Sequence, residues 1–308
     1  MHLIAQICQR YQKVIIEMKK TIIDGLNAIY TGFNFAKQYI CYSSSFYRSR
    51  KKSIALNIHS IEKGLSTKAE EFRTEFGKNK IKELEDDIEL VGDSYYESWG
   101  RELLRVYDGV NKEGHLSDRE SDIGSIKIEE NDYVNMPYQD MMSTRHSCRY
   151  FKNQTVDSMV LIKAIDVARF SPSACNRQAV HIYAVRDKET IKKLSKIQNG
   201  HKGSENAPCW LIVTGNLSMY GGSELKMALV DCGIFTMNLL LALNTVGLEC
   251  CCLHGCMRQN KENMIKKICG IPKNEMISNF VMTGYGDYES RSPVSKRKPG
   301  DMLITFCE

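Results

Sequence analysis

The strongest signal for the fold lies in residues 225–253, LKMALVDCGIFTMNLLLALNTVGLECCCL. From Leu225 to Val246 this stretch is apolar on nearly every side of a helix, and Gly247 ends it. A helix that is apolar all round is buried, either in a core or in a subunit interface. The short apolar run from Glu249 to Leu253 then predicts a buried strand. The stretch therefore predicts a helix packed on a sheet.

Helices and strands alternate on both sides of this stretch. Apolar stripes at helical spacing predict helices over Val156 to Phe170, Asp187 to Gln198 and Asn260 to Cys269. Short apolar runs predict strands over Val180 to Val185, Cys209 to Thr214 and Phe280 to Thr283, with the tail Asp301 to Cys307 as a candidate terminal strand. Such alternation indicates a layered α/β or α+β domain.

The first 135 residues have a different, helical character. Residues 1–40 predict an amphipathic helix that either docks on the body of the protein or lies on a membrane surface. Further helices are predicted over 53–65, with Gly64 as a stop, over 78–91 and over 95–110. Residues 111–131 are rich in Gly, Ser, Asp and Glu and predict a linker. We therefore divide the chain into a helical extension, 1–135, and a second domain, 136–308.

Composition excludes several classes of protein. The 308 residues are 43% hydrophobic and 26% charged, which is typical of globular chains and excludes a wholly disordered or fibrous one. The net charge of +5 suits an anionic small ligand such as a phosphate ester. It is too weak and too scattered to predict nucleic-acid binding.

The twelve cysteines bear on compartment and on metal binding. No secretory signal and no apolar run of about 20 residues is visible, so we expect a cytoplasmic protein with reduced thiols and no transmembrane segment. Cys250, Cys251, Cys252 and Cys256 surround His254, but no C-x-x-C pair occurs in the chain. Adjacent cysteines on a strand also point to opposite faces, so we predict no metal site and small buried side chains instead.

Several catalytic motifs are absent. The chain contains no G-x-G-x-x-G, G-x-x-x-x-G-K-[ST], H-E-x-x-H or G-x-S-x-G. A Rossmann dinucleotide site, a P-loop, a zincin and an α/β-hydrolase elbow are therefore not predicted. Cys175 with a distant histidine remains a weak alternative as a thiol nucleophile.

Four short polar clusters lie at the ends of predicted elements. They are STRHSCRYF (143–151), SPSACNRQ (171–178), IQNGHKG (197–203) and SKRKP (295–299). Two arginines four residues apart, with a hydroxyl between them, can converge on a phosphate or on adjacent anionic groups. Serine and asparagine side chains can both donate to and accept from the edge of a heterocycle. Each cluster alone is more often a solvated loop, but the set in this order is more specific.

In this order and spacing, the clusters and the elements between them resemble the nitroreductase family of FMN-dependent oxidoreductases. The resemblance covers about residues 137–307. It implies an α+β fold, a three-layer α/β/α sandwich, to which the helical N-terminal extension is added. The segments IHSIEKGL (58–65) and EFRTEFG (71–77) resemble the extension of a subgroup associated with polysaccharide biosynthesis.

The resemblance also implies which residues hold FMN. Arg145 and Ser147 would grip the phosphate and the ribityl chain, with His146 between them in the same loop, and Arg149 would lie at the N1/O2 edge of the flavin. Asn199 and Lys202 would bind the pyrimidine edge. A cation at N1/O2 stabilises the negative charge that a reduced flavin carries. The remaining assignments are His254 and Gly255 near N5, Lys296 and Arg297 at the phosphate, and Pro172, Ser173 and Asn176 contributed by the partner of a homodimer.

The implied activity is oxidation of NADH or NADPH by bound FMN, followed by reduction of a small acceptor such as a nitro compound or a quinone. His254 replaces the residue commoner in the family, and it is either a proton donor or a spectator at the surface. The alternative is a non-catalytic module that binds FMN or a nucleotide and acts as a regulatory partner in glycan assembly. Turnover with NAD(P)H separates the two hypotheses.

Overall fold

The computed structural model describes residues 15–16, 18–23, 25–26, 29, 32–33, 46–66, 75–113, 124–127, 130, 132–133, 135–201, 203–220 and 224–307. Every element below lies within these ranges.

A four-stranded antiparallel sheet forms the centre of the second domain. Its spatial order is β2 (Val180–Val185), β3 (Cys209–Asn216), β5 (Glu275–Gly284) and β4 (Glu249–His254). β3 is buried almost throughout, as its unbroken apolar run predicts. β5 begins at Glu275, five residues before the predicted start. The apolar run by which the strand was predicted covers only its second half, since the first half alternates in polarity. The carboxyl group of Glu275 is buried and accepts a hydrogen bond from Thr214 Oγ1.

Helices cover both faces of this sheet. α5 (Ser158–Ala168) and α7 (Leu225–Thr245) pack on one face, and α6 (Lys188–Gln198) and α8 (Gln259–Cys269) pack on the other. Cys250 belongs to the first core and its neighbour Cys251 to the second, because successive side chains on a strand point to opposite faces. The predicted three-layer α/β/α sandwich is confirmed.

Three helices of the extension form a core of their own. α1 (Phe46–Leu65), α2 (Lys78–Leu90) and α3 (Ser94–Glu113) bury an apolar cluster that includes Ile58, Leu84 and Leu103. α1 continues one residue beyond Gly64, which does not act as the predicted stop. A Cβ at Gly64 would lie 2.1 Å from the ring of Phe76, so this glycine is required for packing.

The predicted linker contains a strand. β1 (Ser125–Lys127) pairs with β6 (Arg291–Pro293) in a two-stranded antiparallel ladder. Arg291 extends the ladder by donating from Nε to Ser125 Oγ and from Nη2 to the Ser125 carbonyl oxygen. The C-terminal part of the extension is thereby joined to a segment near the C-terminus of the chain.

The C-terminal tail is not a strand within this chain. The turn Gly300–Met302 is followed by irregular backbone, and Leu303 and Phe306 are 72% and 80% exposed. The strand predicted over 301–307 is therefore wrong for the single chain, because its apolar side chains find no sheet edge to pair with there.

The first predicted helix lies partly outside the described residues. Where described, between 15 and 33, it is helical, and its large apolar side chains are exposed. Docking on the body of the chain is not observed for these residues.

Among the described residues, Lys226–Thr245 is the one helix with the length and hydropathy to cross a membrane. It is weak evidence for a span, because 56% of its most apolar window is buried in the protein and core helices have the same composition.

Candidate functional site

The R-H-S-C-R loop, residues 145–149, follows α4 (Tyr138–Thr144) and lies against the sheet without helical or strand structure of its own. Cys148 N–H donates to the carbonyl oxygen of Cys250 at 3.0 Å, and Ser292 Oγ donates to that of Ser147 at 3.1 Å. The loop is thus fixed between β4 and β6. Its conformation is set by tertiary hydrogen bonds rather than by a helix or a sheet ladder.

Two guanidiniums of this loop fold back on its own backbone. Arg145 Nη1 donates to the carbonyl oxygen of His146 at 3.0 Å, and Arg149 Nη1 donates to that of Ser147 at 3.1 Å. Both side chains are half-buried. Each hydrogen bond orients one guanidinium and uses only one of its five N–H groups.

His146 points beneath the loop. It is buried, Nδ1 lies 3.3 Å from the carbonyl oxygen of Thr144, and Nε2 lies 3.7 Å from Glu249 Oε2. Burial lowers the pKa of His146, and burial raises that of Glu249 to about 7 although Asn244 and Arg145 oppose the shift. At 3.7 Å the imidazole and the carboxyl group do not hydrogen-bond. The lowered pKa favours a neutral His146 imidazole at pH 7, and a pKa of about 7 divides the Glu249 carboxyl between its neutral and ionised forms.

The I-Q-N-G-H-K-G loop meets the end of β4. α6 ends where Asn199 adopts φ 53°, and its N–H donates to the carbonyl oxygen of Ser195. Gln198 Nε2 donates to the carbonyl oxygen of His254 at 3.0 Å, and Gly200 N–H donates to Gln198 Oε1 at 2.6 Å. This buried amide therefore joins the end of α6, which Asn199 caps, to the carbonyl oxygen of His254. Lys202 lies outside the described residues.

Gly255 makes a close backbone contact at that corner. Its N–H donates to the carbonyl oxygen of Ser278 at 3.1 Å, and a Cβ there would lie 2.2 Å from the same oxygen. Only glycine fits this position. Its N–H is also already used, although it belongs to the residue pair expected near flavin N5. The His254 side chain is exposed.

The S-P-S-A-C-N segment lies against a different part of the fold. Both carboxylate oxygens of Asp231, on α7, accept from Ala174 N–H at 3.2 Å, and Ser173 Oγ accepts from Gln178 N–H at 3.0 Å. Cys175 and Asn176 both have positive φ, which a side chain disfavours. Among the described residues, no hydrogen bond or ion pair joins Pro172, Ser173 or Asn176 to the R-H-S-C-R loop. Within the part of one chain that the structure describes, these two predicted parts of the site make no such direct polar contact.

The three cations of the basic C-terminal turn, residues 295–299, contact different parts of the protein. Lys296 Nζ pairs with Glu102 of α3 at 3.1 Å, and Lys298 lies over the ring of Tyr96 at 5.0 Å. Arg297 instead donates to the carbonyl oxygen of Ser295 and lies near the buried carboxyl of Glu62. Lys296 and Lys298 therefore hold the extension, while Arg297 faces the same carboxyl as Arg149 does.

Among the described residues, no group of three or more His, Cys, Asp and Glu side chains is placed to hold a metal ion. The described cysteines are free, and burial raises the pKa of several, including Cys148 to about 12. These thiols are protonated at neutral pH, as expected for apolar packing.

The family model that matches the chain is that of the nitroreductase family, over residues 142–202 and 198–285. A protein of Archaeoglobus fulgidus named NADH dehydrogenase/NAD(P)H nitroreductase is 30% identical over 147 residues, which cover 47% of this chain and 83% of the relative. The chain belongs to the nitroreductase family.

Two further comparisons fit this membership. The FMN reductase [NAD(P)H] of Bacillus subtilis is 28% identical over 105 residues, or 34% of this chain and 40% of that protein. The crystal structure of the nitroreductase ydfN from Bacillus subtilis superposes with a TM-score of 0.50 at 18% identity, covering 55% of this chain and 98% of that one. The family match, residues 142–285, begins after the three helices α1 to α3.

Three residues from outside the nitroreductase match reach the same site. His59, Glu62 and Lys63 lie on α1 with the spacing i, i+3, i+4, which places them on one helix face. Arg149 contributes to the lowered pKa values of both His59 and Lys63, so its guanidinium lies near them. The only feature of the sequence that could have assigned these three residues to the site was their spacing on one helix face. That spacing is common on helices that have no functional role.

Proposed function

We propose that this chain is an FMN-dependent NAD(P)H oxidoreductase that works as a homodimer and reduces a small acceptor such as a nitro compound or a quinone. The observation that carries the proposal is the convergence of the R-H-S-C-R loop, the I-Q-N-G-H-K-G loop and the end of β4. Family membership and the names of the relatives support it.

The charges at this place suit FMN. Arg149 and Arg297 act on the carboxyl of Glu62 and Arg145 acts on that of Glu249, while Lys63 follows Glu62 on α1. Burial raises the pKa of each of these carboxyls to about 7. The cations therefore exceed the compensating negative charge. The phosphate of FMN carries close to two negative charges at pH 7, and a reduced flavin ring can add another. A ligand of this charge would offset the excess.

Each loop supplies a separate part of the proposed site. Arg145 and Ser147 bind the phosphate and the ribityl chain, assisted by Arg297 from the C-terminal turn. Arg149 lies at the N1/O2 edge, where a fixed cation stabilises developing negative charge. Lys296 Nζ donates to Glu102 Oε2 at 3.1 Å. Lys296 therefore contributes to phosphate binding indirectly, because it orients the turn that carries Arg297.

Asn199 and Lys202 bind the pyrimidine edge, and the His254–Gly255 corner lies near N5. The buried Gln198 amide holds these two segments together through its hydrogen bond to the carbonyl oxygen of His254. When bound, FMN supplies the two-electron chemistry between NAD(P)H and the acceptor, in alternating half-reactions. The protein supplies binding, orientation and the positive field.

Two exposed apolar helix surfaces support the proposed homodimer. α7 exposes Leu229, Val230 and Ile234, and the neighbouring α5 exposes Met159 and Ile162. Exposed apolar side chains concentrated on two adjacent helices are typical of an interface. A second copy would also bring Pro172, Ser173 and Asn176 to the site. Among the described residues of one chain, these three make no hydrogen bond or ion pair with the R-H-S-C-R loop. The apolar C-terminal tail would then cross to the partner.

The test is the visible spectrum of the purified protein before and after NADH or NADPH is added without oxygen. We expect flavin absorbance that bleaches with the nucleotide and returns when a quinone or a nitroaromatic compound is added. A protein that gains no flavin absorbance when it is mixed with FMN would overturn the proposal. Bound flavin that NAD(P)H does not reduce would favour the non-catalytic binding module.

A further inference from the structure

The extension brings a lysine into the cofactor region of the second domain. The contact is built by a chain of hydrogen bonds that begins at the end of α1. Ser125 Oγ donates to the carbonyl oxygen of Leu65 at 3.1 Å, and β1 then pairs with β6. From β6, Ser292 Oγ donates to the carbonyl oxygen of Ser147 at 3.1 Å. The last turn of α1 is therefore fixed relative to the R-H-S-C-R loop.

A second contact locks the same turn. Glu62 is 1% exposed, and its Oε1 accepts from Gly124 N–H at 3.5 Å. The backbone of Ser295 and the charges of Arg149 and Arg297 lower the pKa of the same carboxyl, against the larger effect of burial. Val294 N–H donates to the carbonyl oxygen of Gly124 at 3.1 Å, so β1 and the basic turn approach it together. The residue after Glu62 is thereby held at the site.

That residue is Lys63, which is half-buried. Arg149 of the R-H-S-C-R loop lowers the pKa of Lys63, and Cys251 of β4 raises it. Lys63 in turn lowers the pKa of His201 in the I-Q-N-G-H-K-G loop. Among the described residues, no carboxylate lies within ion-pair distance of the Lys63 ammonium. Three segments that we assign to the flavin are thus electrostatically coupled to one lysine from the extension.

The electrostatics of its neighbours agree with an unbalanced positive charge. Burial, together with Lys63 and Arg149, lowers the pKa values of His59 and His201 to about 4. The carboxylate of Glu205 opposes the shift at His201 by raising its pKa. Lys80 adds to the shift at Lys63 by lowering its pKa. Both imidazoles are neutral at pH 7. A bound anion is the group that would make two adjacent cations favourable here.

We propose that Lys63 is a second cation of the flavin site, supplied by the extension, and that it stabilises the negative charge that the flavin ring gains on reduction. This inference rests on the proposed function. It assigns to α1 a part in tuning the cofactor, which the family region from 142 to 285 does not contain. Lys63 is a positioning and electrostatic residue rather than a proton donor.

The test compares Lys63→Met with the full-length wild type, measuring the affinity for FMN in both oxidation states and the midpoint potential. We expect the affinity for reduced FMN to fall about tenfold more than that for oxidised FMN. For a two-electron couple, this lowers the midpoint potential by about 30 mV. Lys63→Arg should recover most of the shift, and Lys82→Met, an exposed lysine on α2, should show none.

Riboflavin distinguishes the ring from the phosphate. Because it has no phosphate, a shift of similar size with bound riboflavin assigns the effect of Lys63 to the ring. An unchanged potential, or equal losses in the two oxidation states, would overturn the inference while leaving the proposed function intact. A wild type that binds no flavin would overturn the proposed function first. If Lys63→Met does not fold, Lys63→Gln keeps a polar end and gives the same comparison.

Discussion

The side-chain amide of Gln198 donates to the backbone oxygen of His254 at 3.0 Å, across a separation of 56 residues in sequence. The same amide accepts from Gly200 N–H. One buried side chain therefore fixes the end of α6 to the end of β4.

Gln198→Leu should loosen both segments. Two partly buried hydrogen bonds to the backbone, at the His254 carbonyl oxygen and the Gly200 N–H, are lost, which costs about 1–3 kcal/mol of stability. We also expect FMN and riboflavin to bind more weakly by similar factors, because the ring rather than the phosphate meets this corner. Thermal unfolding and flavin titration measure the two effects. Gln154→Leu, at an exposed position, is the control, and a Gln198→Leu protein with unchanged affinity for both flavins would contradict the prediction.

Arg145→Ala and Arg297→Ala should each weaken FMN binding by about 10- to 100-fold. A charge-assisted hydrogen bond to phosphate contributes about 1.5–3 kcal/mol, and each 1.4 kcal/mol is tenfold in affinity. Riboflavin has no phosphate, so its affinity should change much less. Titration of each variant with both flavins decides the matter, with the exposed Arg101→Ala on α3 as control. Equal losses for the two flavins would show that these arginines do not contact the phosphate.

Gly255→Ala should destabilise the protein. The new Cβ would lie 2.2 Å from the Ser278 carbonyl oxygen, so the end of β4 must shift, at a cost of about 1–3 kcal/mol. Gly109→Ala in α3 is the matched control, since a Cβ there meets nothing within 4 Å and alanine favours a helix by up to about 1 kcal/mol. Urea unfolding of both variants measures the contrast, and a Gly255→Ala protein as stable as the wild type would refute the close contact.

Glu62 should make stability depend on pH. Burial raises its folded pKa to about 7 from an ordinary value of 4.5. Between these values the folded state binds more protons than the unfolded state, so stability falls as pH rises from about 4.5 to 7. Glu62→Gln removes that loss, so its stability relative to wild type should rise between pH 5 and pH 8, by at most about 3 kcal/mol. Unfolding at both pH values measures it, with the exposed Glu85→Gln as control, and parallel pH profiles for Glu62→Gln and wild type would contradict the shift.

Leu229→Asp should weaken the proposed homodimer. Leu229 is 52% exposed on α7, and a carboxylate buried there without a partner would cost several kcal/mol. Met264→Asp, at an equally exposed position on α8 on the opposite face of the sheet, should leave the assembly unchanged. Sedimentation at several concentrations measures the dimer. A flavin-loaded monomer in the wild type would refute the requirement for a partner.

The sequence by itself determined the central sheet and its helices. β3 and α7 are apolar enough to be recognised without a partner, because each is buried on nearly all sides. The boundaries of β2 were predicted to the residue, since its apolar run ends at charged residues. The order of the polar clusters was also sufficient to indicate the family, because the loops follow elements whose positions the periodicity fixes.

Only the tertiary structure decided the contacts between distant segments. The polar first half of β5 is a strand because β3 pairs with it and because Thr214 and Tyr183 accommodate the Glu275 carboxyl. The β1–β6 ladder joins segments more than 160 residues apart, and no local pattern encodes such a pairing. Lys63 illustrates the same limit. Its spacing on α1 predicts only a helix face, and its place beside Arg149 depends on a ladder that forms when the two domains pack together.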